Sequence, residues 1–137
     1  MNPMTTTKQI PRQQWKEYFD RFTKTYLRDD RPEAATIELL SPTLGDQFEV
    51  EGVRLLGVSY DRKSDVLEVL LKNMDHLVFQ PKEISAIEEG DGFLSGIEIV
   101  RGDGTREVLT IRRAEATELA PSKASTSAPK AFKSPKA

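Results

Sequence analysis

The pattern of hydrophobic positions changes its period once along the chain. Between Gln13 and Leu27, aromatic residues recur at helical spacing, at Trp15, Tyr18, Phe19, Phe22 and Tyr26. At about 100° per residue these rings fall on one face, while the other face carries i,i+4 pairs of opposite charge such as Lys16 with Asp20. The pattern predicts an amphipathic N-terminal helix whose aromatic face packs on a sheet.

After Pro32, hydrophobic and polar residues alternate with a period of two, which indicates β-strands. The predicted strands lie at 34–39, 48–60, 66–71, 76–79, 82–89, 94–100 and 106–113. Asp103-Gly104 between the last two segments is a strong hairpin signal. Gly52 and Gly57 interrupt the second segment, and they predict a bulge or a sharp bend there.

These patterns predict an α+β domain over residues 10–114. In it, the N-terminal helix covers one side or the open end of a curved antiparallel sheet of six or seven strands, and consecutive strands are neighbours in a meander. We expect a flexible N-terminus over residues 1–9. We expect residues 115–137 to form a disordered tail, because a segment of Lys, Ala, Ser and Pro buries too little apolar surface to fold.

Charge is unevenly divided along the chain, although the net charge is only −2. Residues 121–137, the last part of the tail, contribute four lysines and no acid, at Lys123, Lys130, Lys133 and Lys136. The rest of the chain therefore has 16 basic and 22 acidic residues. An acidic domain is a poor nucleic-acid surface, since phosphate contacts need clustered Lys and Arg. Weak, nonspecific nucleic-acid association is expected only through the tail.

The sequence offers few residues for catalysis or metal binding. It contains no cysteine and one histidine, His76, which excludes thiolate sites and the usual histidine-based zinc sites within one chain. No apolar segment has the length of a membrane span or the position of a signal peptide. We therefore expect a cytoplasmic protein without membrane association, and we predict no catalytic, cofactor-binding or metal-binding residue.

Two polar groups nevertheless invite a functional interpretation. Asp75 precedes His76, but neighbours on a strand point to opposite faces, so we expect no proton sharing between them. We expect His76 to be half-buried, with a backbone carbonyl as its partner. Glu88, Glu89 and Asp91 lack the acid spacing of an EF-hand loop, which favours solvated turn acids over a cation site.

Two motifs carry a resemblance to a known family. The first is the helix segment Trp15-Lys16-Glu17-Tyr18-Phe19-Asp20-Arg21-Phe22, and the second is Asp75-His76-Leu77-Val78 followed by Pro81-Lys82-Glu83-Ile84. With these motifs, residues 10–113 resemble a family of small bacterial proteins known only as a domain of unknown function. The resemblance implies no activity, ligand or catalytic residue.

The sequence thus leaves three functional hypotheses. The first is a noncatalytic protein-interaction module that binds a protein partner, or a second copy of itself, through a sheet edge. The second is nucleic-acid association through the basic tail. The third is a small-ligand site between the helix and the sheet.

Overall fold

The computed structural model describes residues 5–27 and 33–113. Within these residues a 3₁₀ turn, Arg12–Gln14, leads into a single α-helix, α1, at Trp15–Tyr26. Eight strands form one antiparallel sheet: β1 Thr6–Gln9, β2 Glu33–Ser41, β3 Gly45–Asp61, β4 Val66–Leu71, β5 Asp75–Phe79, β6 Pro81–Glu88, β7 Leu94–Arg101 and β8 Arg106–Arg113. The α+β class is confirmed, with the sheet as its larger part.

The aromatic face of α1 packs into the core, as its spacing predicts. Trp15, Phe19 and Phe22 are buried, whereas the Tyr18 and Tyr26 rings are half-buried at the margins. The Trp15 ring meets Tyr60 of β3 edge-on, with 5.1 Å between centroids. Edge-to-face pairs of this kind stabilise a core beyond the area they bury.

The strand order departs from the predicted meander. Along the sheet the order is β1-β6-β7-β8-β2-β3-β4-β5. Two meanders, β2 to β5 and β6 to β8, are joined by pairing of β2 with β8. The antiparallel sheet is confirmed, and five pairs of strands that follow one another in sequence are neighbours as predicted. The prediction of six or seven strands in one meander is wrong, because the sheet has eight strands and β5 and β6 are not paired.

The eighth strand is β1, which lies in the segment predicted to be flexible. Thr6–Gln9 pairs antiparallel with β6, from Thr6 opposite Glu88 to Gln9 opposite Ser85. All four of its residues are exposed, so no hydrophobic alternation signals the strand. The predicted flexible N-terminus is wrong for Thr6–Gln9. Residues 1–4 and the tail 115–137 lie outside the described residues.

A one-residue connection forces the sheet to curl. β5 occupies one edge of the sheet, and β6 lies next to the opposite edge. Six strand spacings would separate them in a flat sheet, or about 29 Å at about 4.8 Å each. Gln80 alone lies between Phe79 and Pro81, and two residue steps span at most about 7 Å. The sheet is therefore a partly open barrel, with its apolar interior facing α1.

β3 is the long, bent strand that both halves of the barrel share. Its 17 residues pair with β2 from Gly45 to Leu55 and with β4 from Leu55 to Asp61. The register shifts opposite Gly52 and between Leu55 and Gly57, and Gly52 has a positive φ of 62°. The bulges predicted at these two glycines are confirmed.

Thr23 of α1 takes the place of a missing strand beside β3. Pairing of β2 with β3 ends at Leu55, so the backbone of Val58 has no strand on that side. The Thr23 hydroxyl accepts a hydrogen bond from the Val58 N–H at 3.0 Å and donates one to the Val58 carbonyl at 2.9 Å. One side chain thus satisfies both backbone groups and attaches the helix to the sheet.

We predict that Thr23→Val destabilises the protein by about 1–3 kcal/mol, because both backbone groups of Val58 lose their partner in a part-buried position. Urea unfolding provides the measurement. Thr23→Ser is the control, since it keeps the hydroxyl and removes only the methyl group. A larger loss in Thr23→Ser than in Thr23→Val, which keeps the methyl group, would show that the methyl contact, and not the hydrogen bonding, attaches the helix.

Candidate interaction surface

Among the described residues, several stretches of strand backbone are unpaired on one side, including β1, the first half of β3 and β5. β1 is short and polar throughout. β3 pairs with β4 only from Leu55 onward, so the first half of β3 is open on that side. This open half carries Asp46, Glu49 and Glu51 beside the Gly52 bulge. Short length, charge and bulges are the usual protections of an edge against pairing. β5, of five residues, carries neither a charge nor a bulge in its apolar half, Leu77–Phe79.

The open backbone groups of β5 belong to its exposed residues. The Gln80 N–H donates to the Asp65 carbonyl at 2.7 Å, just beyond the β4–β5 pairing. Hydrogen-bonded pairs alternate along an antiparallel ladder. His76 and Val78 therefore direct their N–H and C=O groups toward β4, and the groups directed outward are those of Asp75, Leu77 and Phe79.

Apolar side chains surround this edge on the outer face of the sheet. Phe79 is 65% exposed and Leu77 is 41% exposed. Leu70 of β4 and Leu56 of β3 extend the exposed apolar area across the neighbouring strands. We call these four side chains, together with the open backbone edge of β5, the β5 surface.

Two acidic residues lie within the β5 surface. Glu68 of β4 lies opposite Leu77, and Asp75 lies opposite Leu70. The two acids are therefore diagonal neighbours of one another, and so are the two leucines. A hydrogen bond with Asp75 raises the pKa of Glu68, and partial desolvation and the Asp75 charge act in the same direction. Neither carboxylate forms an ion pair with a lysine or arginine of the described residues.

A groove between α1 and the outer face of the sheet opens onto this surface. Its volume is about 490 Å³. Asp20, Thr23 and Lys24 line it from the helix, and Leu56, Glu68 and Leu70 line it from the strands. The groove thus shares two leucines and one acid with the β5 surface.

A buried carboxylate holds β5 from the inside of the barrel. His76 Nε2 lies 2.6 Å from Oε1 of Glu107 on β8, and Arg101 of β7 donates to Oε2 at 2.9 Å. The side chain of Glu107 is only 2% exposed. Burial would raise its pKa, but hydrogen bonds from His76 and Arg101 and their charges hold that pKa below its usual range. The ionised carboxylate accepts from both neighbours, which ties edge strand β5 to the opposite wall.

The structure corrects the expectation for His76. The residue is half-buried and points away from Asp75, as the strand geometry predicts, but its partner is Glu107 and not a backbone carbonyl. Sequence reasoning did not single out Glu107. A signal was available, because Glu107 lies in phase with the inward residues Leu109 and Ile111 on β8.

The acids near the β6–β7 turn form specific contacts. Glu88 accepts a hydrogen bond from the Tyr18 hydroxyl, and burial together with this bond raises the Tyr18 pKa. Asp91 pairs with Arg113 at 2.9 Å, and the Arg113 guanidinium lies 4.0 Å from the centre of the Phe93 ring. The prediction of solvated turn acids is therefore wrong for Glu88, whose side chain is only 22% exposed, whereas Asp91 is 58% exposed and is a solvated turn acid as predicted.

The other two hypotheses stay predictions. The basic tail lies outside the described residues. Between helix and sheet, buried rings fill the interface and leave grooves at its margins. The groove beside Tyr18 and Arg21 has a volume of about 240 Å³, below the roughly 300–1,000 Å³ of small-molecule pockets. The groove beside Thr23 and Leu56, of about 490 Å³, lies within that range.

Comparison with known proteins places the chain in a family. A model described as "Family of unknown function (DUF5335)" matches residues 6–120. The chain belongs to this family. It is 43% identical over 109 residues to an uncharacterized protein from Aquifex aeolicus (strain VF5), which covers 79% of this chain and 94% of that protein. No solved structure matches. The resemblance to a bacterial family of unknown function is confirmed, and the DUF5335 match ends within the first residues of the tail.

Two further findings concern the described part of the DUF5335 domain. None of its helices is long and apolar enough to cross a membrane. Residues 5–27 and 33–113 also contain no group of three or more His, Cys, Asp or Glu side chains that could hold a metal ion.

We predict that Glu107→Gln lowers stability at neutral pH by about 1–3 kcal/mol, because His76 and Arg101 lose a charged acceptor. The folded-state pKa of Glu107 is lowered. Its contribution is therefore present above the unfolded-state pKa of about 4.3 and is lost as the pH falls through the folded-state value. Urea unfolding of both proteins from pH 7 to pH 3 should show the difference shrinking with acid. A stability difference between the two proteins that stays constant across this range would contradict the assignment of Glu107 as an ionised acceptor.

Proposed function

We propose that this DUF5335 domain is a noncatalytic protein-interaction module that binds an extended segment of a partner protein as an additional strand on β5. The observation that carries the proposal is the combination of outward backbone groups and exposed apolar side chains at Leu77 and Phe79. The proposal concerns the folded domain and does not depend on the basic tail.

The physical basis is strand addition to an open sheet edge. Backbone hydrogen bonds to the edge supply affinity, and alternate side chains supply specificity. The outward backbone groups of Asp75, Leu77 and Phe79 provide the hydrogen bonds, and the outer apolar face provides the side-chain contacts that give specificity. Because the His76–Glu107 contact fixes the inner side of β5, the edge is presented on a rigid strand.

The apolar area also favours a partner. Leu77 and Phe79 lie two positions apart on β5, and Leu70 lies on the diagonal from Leu77. A contiguous exposed apolar patch is more often an interaction site than a scattered set of exposed residues is.

We propose the cytoplasm as the compartment. The sequence contains no cysteine and therefore no disulfide, which agrees with a reducing compartment.

The test compares tagged wild-type protein with Leu77→Lys/Phe79→Lys in affinity purification from native lysate, quantified by mass spectrometry. The matched control is Thr7→Lys/Gln9→Lys, which makes the same two changes two positions apart on edge strand β1. Thermal melting verifies that all three proteins fold. We expect proteins that wild type and control retain to fall at least about tenfold in the β5 variant, as loss of central apolar contacts predicts.

Retention of the same proteins by all three forms would remove the basis of the proposal. Loss of the same proteins from the β1 control and the β5 variant alike would also contradict it, because the effect would follow from added charge and not from the β5 edge.

A further inference from the structure

We propose that the strand bound by β5 carries a lysine or arginine opposite Asp75 and apolar residues opposite Leu77 and Phe79. This inference rests on the proposed function, and it names the chemistry of the partner. The occupant is a basic, apolar, extended segment of another protein.

The register of β5 fixes the spacing of these side chains. Asp75, Leu77 and Phe79 share the outer face because successive strand residues alternate. A strand added antiparallel would present, from its N-terminal end, apolar, any, apolar, any, basic. A strand added parallel would present the reverse order. In either case the basic side chain is directly across from Asp75, about 4.5–5.5 Å away between Cβ atoms.

Charge complementarity supplies the basic residue. Glu68 and Asp75 lie on neighbouring strands, on a diagonal of the outer face, without an ion pair to a described lysine or arginine. Covering two close carboxylates with an apolar strand would desolvate them without compensation. A cation placed near them offsets that penalty.

The same charges disfavour a second copy as the occupant. In two-fold antiparallel pairing about Leu77, each Asp75 would lie across from Phe79 of the second copy. The interface would then contain Glu68 and Asp75 from both chains with no described lysine or arginine paired to them. Like charges brought together in an interface oppose association.

The test uses phage-displayed peptides of about eight randomised residues, roughly the length of a strand. The peptides are selected on the full-length protein, and binders of Leu77→Lys/Phe79→Lys are removed. Selected peptides are then measured by fluorescence anisotropy against wild type and Glu68→Gln/Asp75→Asn. We expect alternating apolar residues with Lys or Arg at the predicted end. We also expect about tenfold weaker binding to the neutralised variant than to wild type at low salt. This difference in affinity should disappear at about 0.5 M NaCl, because salt screens the charges.

The outcomes separate this inference from the proposed function. Peptides that require Leu77 and Phe79 but lack basic residues, and bind the neutralised variant equally, would overturn the partner chemistry and leave the β5 surface standing. If the selection yields no peptide whose binding depends on Leu77 and Phe79, both the partner chemistry and the proposed function are overturned. A concentration-dependent dimer that Leu77→Lys/Phe79→Lys abolishes would make a second copy the occupant, and it would overturn the basic partner.

Discussion

The single-residue connection at Gln80 determines the shape of the whole sheet. It joins a strand at one edge to a strand beside the opposite edge, so the sheet must curl until the two come together. Gln80 itself adopts a positive φ of 54°, which non-glycine residues rarely do. Curling creates an interior, and the rings of Trp15, Phe19 and Phe22 fill the part that strands leave open. The helix is therefore part of the barrel wall as well as a cover for it.

Closure through a connection, without a strand pair, leaves β5 unpaired on one side. On the inside of the barrel, His76 of β5 contacts Glu107 of β8. At the edge of β3 that β2 leaves open, the Thr23 hydroxyl bonds to the backbone of Val58. Both contacts act on strands that lie close to the outer apolar face. β5 is thus attached to the barrel from the inside while Leu77 and Phe79 are exposed, and this arrangement supports the strand addition that we propose.

Sequence patterns predicted what local periodicity controls. The aromatic spacing of α1, the alternation of β4 with Leu67, Val69 and Leu71 inward, and the Asp103-Gly104 hairpin all appear as expected. Periodicity carries no information about which distant strands pair, so β2 beside β8 and the polar strand β1 were missed. The His76–Glu107 contact was missed for the same reason, since two residues 31 positions apart meet only when the sheet curls. The β5 surface also needed the structure, because open edges follow from strand order.

Residue-resolved amide hydrogen exchange of β5 in dilute solution tests the central claim most directly. An open edge predicts alternation: Leu77 and Phe79 direct their N–H groups outward and should exchange at least about 100-fold faster than His76 and Val78, which donate to β4. Such alternation would show a folded strand with a free side. Equally slow exchange at all four residues would mean that another part of the chain or a second copy already covers the edge, and equally fast exchange would mean that β5 is not a stable strand.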